Sequence, residues 1–193
     1  MTESAAANIN TIVAKDTWTS EDHAELLQEL VTLSDAPGKF RAITAGLEAD
    51  APEPTGAAAV KIGIARYMLC RFPDAIDALG AGTDNKDRRY FQALCLKELR
   101  RYEQAADEFE RARERGWDAR EIDVHLAEIA ALSGDLAAAD KRVAKLQKSL
   151  GESATWFYLR GMVDELLGRD DDALDAYEQA REIDPAHAQA TFR

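Results

Sequence analysis

The stretch GRDDDALDAYEQAREIDP at residues 168–185 decides the fold. It shares its layout with GDLAAADKRVAKLQKSLG at 134–151: a Gly, a short polar link, then a run in which Ala-spaced apolar positions recur. Gly134 and Gly168 are 34 residues apart, and so are Ala139 and Ala173. A further 34 residues upstream lies Ala105, inside RRYEQAADEFERARERGW. Three units in one phase mark an internal repeat, in which each unit is one supersecondary element that needs its neighbours to bury an apolar face.

Each unit reads as two amphipathic helices, A and B. In the last one Trp156, Leu159, Val163, Leu166 and Leu167 recur at spacings of three and four, which places them on one face. Gly168 ends helix A, because Gly adopts the left-handed conformation that follows a helix at little cost. Asp170, Asp171 and Asp172 open helix B, where carboxylates favour the positive end of the helix dipole. Ala173, Leu174, Tyr177 and Ala180 form its apolar face, and Pro185 stops it. The small residues Gly161 and Ala173 are expected where two helices cross too closely for a larger side chain.

Composition agrees. The 193 residues are 46% hydrophobic, too apolar for a disordered acidic chain, and rich in Ala, the best helix former. Lys and Arg number 24 against 36 Asp and Glu, a formal charge of −12, which argues against nucleic-acid and anionic-membrane partners. That charge is uneven: residues 1–55 carry −7, 56–119 carry +1 and 120–193 carry −6. The Arg-rich middle suits either an acidic partner or a solvated helix face. No apolar run is long enough to span a bilayer, and the first residues lack a basic region followed by an apolar one. The expectation is a cytoplasmic protein with reduced thiols, Cys70 and Cys95 acting as small buried hydrophobes.

These repeats resemble the tetratricopeptide (TPR) family, whose pattern runs large residue, Gly or Ala, apolar residue, turn Gly, Ala, aromatic, Ala and Pro. The last unit, 154–187, supplies Phe157, Gly161, Gly168, Ala173, Tyr177, Ala180 and Pro185, with Asp164 at one normally apolar or aromatic position. The unit at 86–119 supplies Ala93, Leu96, Tyr102, Ala105, Phe109 and Ala112, with Arg100 replacing the turn Gly. The unit at 120–153 supplies Ala127, Ala130, Gly134, Ala139 and Val143. Upstream, 56–85 matches through Gly63, Phe72, Ala75 and Leu79 but is about four residues short, a loss assigned to GAGTDN at 80–85. A weaker unit spans about 23–55, its helix A carrying Leu26, Leu30 and Leu33 behind an N-cap at Thr19 or Ser20. Residues 1–17 read as an N-terminal tail or loosely docked turn, and 18–193 as the array, with 188–193 starting a further helix. The resemblance implies an all-α, right-handed α-α superhelix of about five helix-turn-helix repeats, with the A helices lining its concave side.

The same resemblance implies a non-catalytic protein-interaction module that binds a peptide or helix of a partner in that groove. The groove positions carried over include Lys61, Ile64, Tyr67, Tyr90, Phe91, Leu94, His125, Glu128, Tyr158 and Met162. Tyr67, Tyr90 and Tyr158 are expected hot spots, although these residues equally suit packing between adjacent A helices. The two-carboxylate clamp of chaperone-binding TPR proteins is missing, because Leu27, Val31, Val60, Ile64, Asp87 and Tyr90 hold its places. A mostly apolar, aromatic surface favours an amphipathic helix or an apolar peptide.

No cofactor or metal is expected. Asp170–Asp172 fails the EF-hand spacing, and His23, His125 and His187 belong to no metal-spaced set. His125, Glu121 and Glu128 read as polar residues on an open helix face rather than acid–base groups, with no nucleophile or phosphate loop near them. No enzyme is expected within these residues. Because Ala188 to Arg193 starts an A helix without a capping helix, the chain is expected either to continue past Arg193 or to have that end covered. Two alternatives follow: a self-assembling scaffold that joins copies through the 185–193 end, or an N-terminal interaction arm of a larger enzyme.

Overall fold

The computed structural model describes residues 9–32 and 34–185. Among these, ten helices follow a short helical stretch at 9–13. They are α1 (Ser20–Thr32), α2 (Ala36–Asp50), α3 (Gly56–Met68), α4 (Phe72–Gly80), α5 (Lys86–Glu98), α6 (Tyr102–Glu114), α7 (Ala119–Leu132), α8 (Leu136–Leu150), α9 (Ala154–Leu166) and α10 (Asp170–Ile183). The described residues contain no strand, only one isolated bridge between Gly56 and Gly82. The chain divides into two compact units, Met1–Glu108 and Phe109–Arg193. Leu33 and residues 186–193, and with them the expected helix at 188–193, lie outside the described residues.

In the second unit α7 packs on α8, α8 on α9 and α9 on α10. Short polar caps start three of these helices. Asp118 accepts from the Arg120 and Glu121 amides, Asp135 from Ala138 and Ser153 from Trp156, each satisfying backbone donors that a helix start leaves open. The core joins Ala127, Ala139, Val143, Leu146, Leu159, Val163, Tyr177 and Ala180. The indole of Trp156 donates to the Val143 carbonyl at 3.0 Å, so its one polar atom is satisfied inside. At Gly161 a Cβ would lie 2.8 Å from two Tyr177 ring carbons and 3.1 Å from the Ala173 carbonyl. The small residue there is a requirement of the α9–α10 crossing.

Asp164, the departure from the repeat pattern, is only 5% exposed. Its oxygens accept from Arg160 Nε and Nη2 at 2.6 Å each and from Arg169 Nη1 at 3.1 Å. Arg160 Nη1 also reaches Asp140 Oδ1 at 2.8 Å. An ion-paired network thus occupies a place the pattern gives to an apolar side chain, and it links α8, α9 and the α9–α10 turn.

In the first unit α3 packs on α4 and on α5. Gly63 repeats the close crossing, since a Cβ would lie 2.5 Å from Leu79 Cγ. Helix α4 has nine residues, the shortest of the ten. Its end is tied back to the start of α3 by Gly56 N donating to Ala81 O and Thr83 N to Gly56 O, both at 3.1 Å. The deletion expected at 80–85 is closed by these bonds.

Positive backbone φ angles recur at the four A-to-B turns after α3, α5, α7 and α9: Cys70 (57°), Arg100 (58°), Gly134 (87°) and Gly168 (73°). The turn is therefore imposed by helix packing even where Gly is absent, at about 1–2 kcal/mol for each non-glycine residue. Cys70 is exposed, not the buried hydrophobe expected, because it is the turn residue and sits on no helix face. Cys95 is buried on α5, and burial pushes its thiol up to about 12.

Of the stretch 1–17, read as a tail or a loosely docked turn, residues 9–17 are described, and 9–13 form a helical turn. Ile9, Ile12 and Val13 are 1%, 2% and 6% exposed. They stand at i, i+3 and i+4, one face of a helical turn, and an apolar face of that kind needs a surface to cover it. Helix α1 begins as expected at Thr19: the Asp22 amide donates to Thr19 Oγ1 at 3.2 Å, and the Thr19 amide donates to Asp22 Oδ2 at 2.8 Å. This is a reciprocal capping box. Beyond it the helix does not behave like the A helices downstream. Its His23 ring meets Phe91 of α5, with centroids 4.8 Å apart, while Leu27 and Val31 on its far side are exposed.

Candidate functional site

The A-helix face of the first unit is built from α3 and α5. Helix α3 contributes Val60, Lys61, Ile64 and Tyr67, and α5 contributes Asp87, Tyr90, Phe91 and Leu94. Tyr67 and Phe91 pack edge to face at 5.3 Å, and Tyr90 and Phe91 at 5.5 Å. Ile64, Tyr90, Phe91 and Leu94 are buried, whereas Lys61 and Tyr67 are half-buried.

Part of that burial comes from residues 13–18, which precede the first hairpin, and from His23 in the first turn of α1. Lys61 Nζ donates to the main-chain carbonyls of Val13 at 2.5 Å and Lys15 at 2.7 Å. Those are carbonyls left open as the 9–13 helical stretch ends, where a cation is favourable. The same ammonium lies 5.7 Å from the Trp18 ring centroid, a cation–π distance. Desolvation holds the Lys61 ammonium below its ordinary pKa, with Asp16 acting the other way. Trp18 is 6% exposed and meets the His23 ring at 6.3 Å. A crevice of about 40 Å³ remains between Thr17, Trp18, Val60, Lys61, Ile64 and Asp87. Lys15 pairs with Asp22 at 2.5 Å and closes the loop on itself. Residues 13–18 and His23 thus lie across the face that the family resemblance assigned to a partner, and the buried Ile9 and Ile12 lead into them.

The fit is incomplete. Trp18 Nε1, both His23 ring nitrogens and Asp87 Oδ1 are buried without a hydrogen-bond partner. Such groups cost about 1–3 kcal/mol each relative to water. Burial pulls the His23 pKa down to about 4, with Asp22 raising it and Lys86 lowering it further. Burial also raises the pKa of Asp87, with Lys86 acting against it.

The sign for His23 follows from linkage. Its folded pKa lies below the unfolded value of about 6.5, so its neutral ring adds full stability above pH 6.5, and that stability is lost as pH falls toward 4. Between pH 7.5 and 5 the loss is about 2 kcal/mol. Asp87 acts in the opposite sense, because a raised carboxylate pKa returns stability on acidification. Urea unfolding across this range should show the loss in wild type and a much flatter profile in His23→Leu. Equal profiles would remove His23 as the source.

In the second unit the expected positions fall mostly in the core. Tyr158 and Met162 are 7% and 3% exposed within the α7–α10 cluster, and Tyr158 packs against Tyr177 at 5.9 Å. His125 is half-buried, stacked on Phe109 at 4.7 Å and joined to Glu128 Oε2 at 3.1 Å. Glu128 is buried rather than a surface carboxylate. Helices that pack on both neighbours leave only a narrow strip of the A face uncovered, which is why most of these residues are interior.

Sequence reasoning missed Trp18, His23 and the Ile9–Val13 face. The available signal was the i, i+3, i+4 spacing of Ile9, Ile12 and Val13 and a Trp directly after the stretch read as a tail or loosely docked turn. Among the described residues no group of three or more His, Cys, Asp or Glu could hold a metal ion. No helix there is long and apolar enough to cross a membrane.

Paired helices in a 34-residue phase, Gly or Ala at each crossing and left-handed turns between them are the tetratricopeptide-repeat fold, and this chain has it. It is similar to the crystal structure of YrrB, described as a TPR protein with an unusual peptide-binding site, at 23% identity and a TM-score of 0.56 over 90% of this chain and 91% of that one. It is similar to MamA at 18% identity and a TM-score of 0.57, over 84% and 96% of the two chains. It is also similar to PilF of Pseudomonas aeruginosa at 15% identity and a TM-score of 0.52, over 90% and 80%. No family model matches the sequence, and no curated protein gives a significant sequence match.

Proposed function

We propose that this chain is a non-catalytic protein-interaction module whose A-helix face takes a peptide or short helix of a partner protein. The observation that carries this reading is the way Lys61 holds residues 9–23. It binds main-chain carbonyls, which every peptide offers, beside an apolar and aromatic wall made by Val60, Ile64, Tyr67 and Phe91. The description of YrrB as peptide-binding supports the same reading by likeness of fold. A cytoplasmic location is part of the proposal, as is the contribution of Lys61 and Tyr67, the two expected α3 positions that keep some exposure.

Selection of displayed 16-residue peptides against the full chain tests it. Selected peptides should bind about five- to thirtyfold more weakly to Lys61→Met and Tyr67→Ala, a loss of about 1–2 kcal/mol each. Peptides indifferent to both substitutions would move the site off this face.

A second reading, self-association through the last hairpin, rests on Leu166 and Leu174, which are 45% and 58% exposed. Leu174 borders a crevice of about 310 Å³ above Tyr177. Light scattering that returns a monomer at all concentrations would remove it.

A further inference from the structure

The segment that crosses the α3–α5 face differs from the rest of the interior in how it is held. Its apolar residues Ile9, Ile12 and Val13 are buried, yet residues 14–17, which join them to Trp18, are exposed. Lys61 grips it through backbone carbonyls, and these do not depend on its side chains. Trp18 and His23 are inserted with three nitrogens unpaired. Array helices also hold such atoms, Asp87 Oδ1 and Gln92 Oε1 of α5 among them, but each unpaired nitrogen still weakens the hold on this segment. A contact with generic backbone recognition, an apolar anchor and several unsatisfied polar atoms has the makings of a bound ligand that another can replace.

We propose that residues 9–23 are an intramolecular ligand of the α3–α5 face, displaced by a partner segment of the same chemistry. That segment is a short amphipathic helix with apolar residues one turn apart, open carbonyls at its C-terminal end for Lys61, and an aromatic residue a few positions beyond. This rests on the reading of the face as a peptide site and adds which kind of peptide it takes and what holds the face closed. The internal copy enjoys a high effective concentration, so an outside segment must fit better to replace it. The unpaired Trp18 and His23 nitrogens leave room for one that does.

The test uses the full chain and a fluorescein-labelled peptide of residues 9–24 as probe. An Ile12→Asp/Trp18→Ala variant frees the face, and circular dichroism checks that its helices persist. In fluorescence anisotropy this variant should bind the peptide at least tenfold more tightly than wild type, and adding Lys61→Met should abolish the gain. Equal binding by wild type and the opened variant would overturn the displaced-ligand proposal but leave the face as a peptide site. No binding by either would overturn both. Hydrogen exchange on the unmodified protein keeps the question open to test if the variant fails to fold. The hydrogen-bonded amides of Ala14, Lys15 and His23 should exchange at least tenfold faster than those of α3 and α5; exchange only together with those helices would make the segment a permanent part of the core and overturn the proposal.

Discussion

Gly161→Val is expected to lower the stability of the second unit by about 2–3 kcal/mol in urea unfolding followed by circular dichroism. The reason is the depth of the α9–α10 crossing. Even a single Cβ at this position would meet the Tyr177 ring at 2.8 Å, closer than real contacts allow, and the Ala173 carbonyl at a tight 3.1 Å. Neither neighbour can retreat easily. The carbonyl is helix backbone, and the tyrosine is anchored by its hydroxyl, which donates to Glu165 Oε2 at 2.7 Å. The helices must then separate, which forfeits contacts along the whole interface. Valine's better intrinsic helix propensity returns only a few tenths of a kcal/mol. Gly161→Ala should fall between the two. A loss below about 0.5 kcal/mol for valine would mean that the crossing is looser than described.

Asp164→Ala is expected to cost a further distinct loss of about 2–3 kcal/mol, measured the same way. The carboxylate is 5% exposed and carries both Arg160 and Arg169. Removing it leaves the Arg160 guanidinium, itself mostly covered, with the half-exposed Asp140 as the carboxylate that still reaches it. The penalty comes from the stranded charge more than from any net worth of the pair. Replacing both partners, Asp164→Leu with Arg160→Met, should therefore recover most of the loss and end within about 1 kcal/mol of wild type. If the double variant is as unstable as the single one, packing rather than charge holds this site.

Much of the fold could be read along the chain because its determinants are local. The 34-residue phase, the turn at Gly134 and Gly168 and the acidic start of α10 depend on residues a few positions apart. The candidate site was less so. Positions carried over from a repeat pattern identify which way a residue points on its helix, but they do not say how much of that face neighbouring helices cover. Tyr158 and Met162 are core, and Tyr90 and Phe91 are covered.

The sequence by itself determined the class of fold, the hairpin pairs and the need for Gly or Ala at their crossings, because helix periodicity and close helix contact write themselves at fixed local spacings. Only the tertiary structure decided that residues 9–23 lie on the α3–α5 face, since the bond that holds them joins Lys61 to Val13 across 48 residues. A contact between an ammonium and backbone carbonyls leaves no pattern in the side chains it recognises, so no periodicity could have announced it.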